Sequence, residues 1–102
     1  GAVAADSLTG PARATAAETL VIQGTRFRLA GVAAPDPDRR CGMTACAEAA
    51  RARLAALAGT GPVTCTRDAR LGHGVYQGTC RLADGRDPAQ LLVEEGLLVP
   101  AP

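Results

Sequence analysis

A chain of 102 residues is expected to form one domain with one modest hydrophobic core and no second one. Its apolar content of 47% excludes a disordered chain, although much of that fraction is alanine and the only aromatic residues are Phe27 and Tyr76. Eleven basic residues, all arginine, stand against ten acidic ones for a net charge of +1, so the positive excess that drives non-specific nucleic-acid binding is absent.

A core with so few large side chains buries little area per residue and calls for cross-links, and the four cysteines are the candidates. The all-arginine set suits bidentate phosphate contacts, and equally follows from a GC-rich coding sequence. No apolar run approaches the roughly 18 residues that a transmembrane helix requires.

At the start, Gly1 reads as a residue left by tag removal, and Ala2-Val3-Ala4 has the A-x-A form that precedes a signal-peptidase cut. Residues 1–9 are therefore expected to be a flexible segment following a cleavage site, with a plain alanine-rich terminus as the alternative. A single domain is expected over 10–102. Residues 12–22 read as one or two short strands, with Thr19-Leu20-Val21-Ile22 the clearest. Gln23-Gly24 makes a tight turn into Thr25–Val32, where period two sets Phe27 and Leu29 on one face and Arg26 and Arg28 on the other.

Pro35, Pro37, Gly42 and two aspartates mark 33–43 as a loop. A helix is expected over about 45–58, with Cys46, Ala50, Leu54 and Leu57 on one stripe and Glu48 and Arg51 facing outward. Thr44 is its expected N-cap and Gly59 its C′ residue. Strands follow near 62–66 and 76–82, joined through Gly72-His73-Gly74. Asp87 as cap, Pro88 at the first position, Gln90 in a capping-box variant and Gly96 as terminator signpost a last helix. The expected fold is α+β and mainly β: a five-stranded OB barrel with a helix between strands three and four and a C-terminal helix.

A turn centred on Gly72-His73 sets Cys65 opposite Cys80, at a spacing a disulfide can use. Cys41 and Cys46 then pair across the loop entering the first helix. Zinc is the weaker reading, because C-x4-C and C-x14-C match no common ligand pattern and His73 is the lone histidine. The same lack of a partner histidine weighs against a catalytic cysteine. Two disulfides imply a periplasmic or secreted protein.

The stretch Arg28-Leu29-Ala30-Gly31-Val32-Ala33-Ala34-Pro35-Asp36 resembles the R-L-x-G-I-D-A-P-E signature of staphylococcal-nuclease-like (thermonuclease) domains. Ala14–Leu20 sits where those domains have V-I-D-G-D-T-L, and Gly85–Leu97 resembles their ending, G-x-D-L-x-x-x-L-V-x-x-G-L-A. The four cysteines resemble a pattern of short exported bacterial members. The similarity spans residues 10–98 and implies the same OB barrel.

It also implies phosphodiester hydrolysis, with a calcium ion held by aspartates, a glutamate acting on water and two arginines stabilising charge. Carried over by position, the two expected metal-binding aspartates are Ala16 and Ala33, a third is Glu18, and the glutamate is Asp36. The first arginine is Arg28, and the second, from the family's D-K/R-Y-G-R segment, is Val75. Glu18, Arg28 and Asp36 thus form a remnant site, with Glu18 the one weak metal ligand and Arg26 a weak substrate contact.

Plainer readings stand beside these. Arg28 pairs with Glu18 or Asp36, Asp36 and Asp38 are turn residues, His73 is exposed and inert, and Glu94 and Glu95 lie on a solvated helix face. The expected function is an exported, non-catalytic binding or structural module whose partner is an envelope protein or another ligand. The alternatives are a weakened phosphodiesterase acting on DNA or RNA, and a nucleic-acid-binding OB module that uses Arg26 and Arg28. No cofactor is expected, and calcium only if nuclease activity persists.

Overall fold

A computed structural model describes residues 6–102; the Ala2-Val3-Ala4 reading lies outside the described residues. The fold is α+β and mainly strands, a curled six-stranded sheet with two helices. In chain order the elements are β1 (Ser7–Gly10), β2 (Ala12–Ala16), β3 (Thr19–Ile22), β4 (Thr25–Leu29), β5 (Val32–Ala33), β6 (Arg40–Cys41), β7 (Thr44–Ala45), α1 (Cys46–Ala58), β8 (Val63–Gly72), β9 (Val75–Arg81), α2 (Pro88–Glu94) and β10 (Val99–Pro100).

The sheet runs β1-β8-β9-β4-β3-β2, with β4 and β9 parallel and the other pairs antiparallel. β1 and β2 lie at opposite ends of that order yet are separated by Pro11 alone. One continuous stretch reaches both edges only because the sheet curls. Proline suits the break, since it has no N–H to give to a ladder. Residues 7–9, expected to be flexible, lie instead in β1: Ser7–Gly10 pairs with Val63–Thr66, and the Thr9 and Thr64 hydroxyls lie 2.8 Å apart. The pairing covers an edge of β8 that would otherwise present unpaired backbone groups.

Alternation in β4 buries Phe27 and Leu29 and exposes Arg26 and Arg28, as the period requires. The Gln23-Gly24 turn has φ of 50° and 80°, the doubly left-handed form that matches strand twist in a two-residue hairpin. The core gathers Leu20, Ile22, Phe27, Leu54, Val63 and Leu92 with the inward sides of both helices. Gly78 is part of that packing, because a Cβ there would meet Phe27 Cδ1 at 2.7 Å and Thr66 O at 3.0 Å.

The helix ends differ from expectation in detail. Thr44 belongs to β7, paired with Cys41, and Ala45 is the N-cap of α1, with no side-chain cap bond. The Cys41–Cys46 disulfide fixes that entry instead, with Cα atoms 4.8 Å apart. Gly59 is the C-cap rather than C′ and keeps a right-handed φ of −77°. A Cβ at Gly59 would lie 3.3 Å from Ala55 O, the carbonyl its N–H reaches at 3.0 Å. In α2, Asp87 Oδ1 accepts from Ala89 N at 2.9 Å, Gln90 joins the cap through its backbone N–H, and Gly96 ends the turn at φ 76°.

The β8–β9 hairpin turns on His73-Gly74, not Gly72-His73, with Gly72 paired to Val75. Two register shifts in β8, passing over Asp68 and Leu71, then bring Cys65 opposite Cys80. The two cysteines are bridged with Cα atoms 4.0 Å apart, and both are buried. All four cysteines are thus in disulfides, which excludes the zinc and catalytic-cysteine readings. Among the described residues no helix is long and apolar enough to cross a membrane.

Candidate functional site

Glu18 closes the turn between β2 and β3, and Arg28 leaves the outer face of β4. The pair Thr19–Arg28 sets them beside each other, and Leu29 N–H donates to Glu18 O at 2.8 Å, pinning the turn to the strand. The two side chains share a cleft of about 190 Å³ with Gln77, walled by Val32, Leu71 and Ala101. Arg28 is exposed and Glu18 half-buried. Among the described residues neither enters an ion pair, so the expected pairing of Arg28 with Glu18 or Asp36 does not form.

Asp36 does not line this cleft. Its Oδ1 accepts the Asp38 N–H at 2.9 Å, and its carbonyl accepts the Arg39 N–H at 3.0 Å. This is an aspartate turning the chain after the buried Pro35, the plainer of the two readings given above. Ala16 ends β2, paired with Thr19, and Ala33 pairs with Val99 of β10. Arg26 is exposed on the same face as Arg28 but does not line the cleft. Val75 begins β9 between Gly72 and Arg26 in register.

The donor set at this cleft does not fit calcium. That ion takes six to eight oxygen ligands, largely from carboxylates, and Glu18 is the only carboxylate lining the cleft. Among the described residues no three His, Cys, Asp or Glu side chains are grouped to hold a metal ion. What remains is one guanidinium able to take an anion and one carboxylate able to take a proton or a hydroxyl.

Two features escaped the sequence. Tyr76 lies against Phe27, ring centroids 6.2 Å apart, and the guanidinium carbons of Arg67 and Arg70 stand 5.5 and 6.0 Å from its centroid. With β8 expected to end near residue 66, both arginines fall in a connection and their meeting with Tyr76 leaves no signal. Glu95 is also more than a solvated residue, since Arg53 of α1 binds its carboxylate through Nε at 3.0 Å and Nη2 at 3.1 Å. That hydrogen bond holds the Glu95 carboxyl below the usual glutamate range.

No protein-family model matches the chain. It is 34% identical, over 103 aligned positions, to the succinoglycan biosynthesis protein ExoI of Rhizobium meliloti (strain 1021). The match covers 91% of this chain and 52% of that protein, so the chain spans about half the length of the curated relative it matches.

Proposed function

We propose that this chain is a staphylococcal-nuclease-like domain whose curled sheet is a five-stranded OB barrel, serving as an exported, non-catalytic binding or structural module. Strand accounting supports the barrel. Residues 7–16, taken as one strand bent at Pro11, make five with β3, β4, β8 and β9. α1 then stands between the third and fourth strands and α2 follows the fifth. A first strand that pairs at both ends of the sheet is one way a small barrel removes its edges. The two disulfides support an oxidising compartment, periplasmic or extracellular. Succinoglycan biosynthesis is the role named for the similar ExoI protein, half of which lies outside the match; the functional reading rests on the cleft.

The observation that carries it is the donor set. Methyl groups stand at Ala16 and Ala33, where the resemblance expects metal-binding aspartates, Val75 replaces an expected arginine, and Asp36 is occupied in a turn. Removal of one preorganised charge-stabilising donor costs about two to three orders of magnitude in rate, and here a donor and two of the expected metal ligands are missing together. The expected partner is an envelope protein or another ligand.

The test is incubation of the protein with single-stranded DNA and RNA, with and without calcium. No cleavage above a blank is expected. Calcium-dependent cleavage that disappears in Glu18→Gln overturns the reading in favour of a weakened phosphodiesterase, the second reading that the shared cleft of Glu18 and Arg28 favours.

A further inference from the structure

The outer face of β2, β3 and β4 carries three guanidinium groups. Arg13 pairs with Val21, Val21 pairs with Arg26, and Arg28 follows two residues along β4. Paired residues share a face, and neighbouring strands lie about 4.8 Å apart, so the Arg13 and Arg26 side chains leave the sheet roughly 10 Å apart, and Arg26 and Arg28 roughly 7 Å apart. All three arginines are exposed, whereas Val21 between them is only 7% exposed. Arg13 and Arg26 flank it in register, one on each neighbouring strand, and both are open to water. Beside them a shallow groove of about 210 Å³ is lined by Pro11, Arg13, Val21 and Gln23.

Exposed arginines on the helices and on the loop before α2 have acidic partners: Arg51 with Glu48, Arg53 with Glu95, Arg86 with Asp84. Among the described residues the side chains of Arg13, Arg26 and Arg28 make no ion pair or hydrogen bond. Three like charges on one sheet face repel one another, and an anion with repeated charges relieves that repulsion at each contact.

What the face lacks narrows the partner. Phe27 points inward and Tyr76 pairs with it in register on the inner side, so nucleic-acid bases find no stacking platform here. Protein interfaces centre on apolar or aromatic anchors, and Val21, the apolar residue at the centre of this row, is already covered. A hydroxyl borders the row instead, from exposed Thr15, two residues along β2 from Arg13. We propose that this face binds an acidic polysaccharide, with carboxylates of successive sugars taken by Arg13 and Arg26 and the chain continuing toward Arg28. This rests on the reading of the domain as a binding module and gives that module a ligand class.

The probes are polygalacturonate, neutral dextran, oligothymidylate and anionic phosphatidylglycerol vesicles, titrated calorimetrically against the intact protein and the double variant Arg13→Ala, Arg26→Ala. Arg28 stays native because it lines the cleft. Polygalacturonate is expected to bind in low salt, to weaken as salt rises, and to lose about tenfold or more in affinity in the double variant. Dextran should not bind, and the unfolding midpoint should not change. No binding of polygalacturonate, an affinity unchanged in the double variant, or tighter binding of oligothymidylate or vesicles overturns the proposal. Cleavage of DNA by the same preparation sinks the non-catalytic reading while leaving the polysaccharide titration standing, so the two failures are distinguishable.

Discussion

Replacing each disulfide separately by a pair of alanines should destabilise the domain unequally, with Cys65–Cys80 the costlier loss. The bridges close loops of very different length, with sequence separations of 15 and 5. Loop entropy alone gives about 3 kcal/mol for the longer and about 2 kcal/mol for the shorter. Burial widens the gap. Cys65 and Cys80 are 0% and 1% exposed, between β8 and β9, and removing both sulfurs from a close-packed core adds a cavity cost of about 1 kcal/mol or more. In the other bridge Cys46 is buried as well, but its partner Cys41 is half-buried in a mostly exposed hairpin that can relax. The expected losses are thus about 4 and about 2 kcal/mol, out of a total stability of roughly 5–15 kcal/mol for a domain of this size. Urea unfolding followed by far-ultraviolet circular dichroism suits a chain without tryptophan. The urea dependence should also steepen in both variants, since each releases the unfolded chain to expand. An equal or larger loss from Cys41→Ala, Cys46→Ala would refute the reasoning, as would free thiols in the unreduced, denatured protein.

Two further outcomes follow from packing and charge. Gly78→Ala places a methyl 2.7 Å from Phe27 Cδ1 and 3.0 Å from Thr66 O and should cost about 1–3 kcal/mol in thermal unfolding; Gly10→Ala, whose methyl meets its nearest neighbour at 3.5 Å, is the near-neutral control. Glu95 has its carboxyl pKa depressed by the Arg53 hydrogen bond, so its contribution is present above the ordinary glutamate value of 4.5 and fades as pH falls through the folded value. Glu95→Gln should therefore lower stability slightly at neutral pH, less so in high salt, and match the native protein in acid.

Local signals carried most of the fold. The alternation of β4, the Gln23-Gly24 turn, the stripe of α1 and the Asp87-Pro88 start of α2 each depend on neighbours a few residues away, and each stands where the pattern sets it. β1 did not, because Ser-Leu-Thr-Gly has little pattern of its own and its partners, Val63–Thr66, are more than fifty residues distant. The hairpin shows how a correct pairing can rest on a wrong centre. Simple counting from Gly72-His73 aligns Cys65 with Cys80; the true centre at His73-Gly74 is one residue later, and the two bulges in β8 restore the alignment. Bulges depend on the surrounding sheet and leave no period in the sequence.

The candidate site divides along the same line. Glu18 and Arg28 share one cleft because they belong to one hairpin, where a register of a few residues determines who stands beside whom. Asp36 follows β5 in an irregular loop whose path is set by Pro35 burial and by its own side chain, and no spacing rule could bring it to the cleft. The residues that hold the domain together are a separate set. Leu20, Ile22, Phe27, Leu54, Cys65 and Cys80 are buried to within about a hundredth of their surface, while Glu18, Ala16 and Ala33 are half-buried and Arg28 is exposed. If Ala16 and Ala33 stand for the aspartates that the proposed reading expects, the exchange removes no core volume and lifts like-charge repulsion that a bound cation would otherwise have to offset. On the proposed reading, the fold therefore loses nothing with the missing carboxylates. What the same strands still present outward is the row of arginines at Arg13, Arg26 and Arg28, whose charge remains available whether or not the cleft can act on a phosphate.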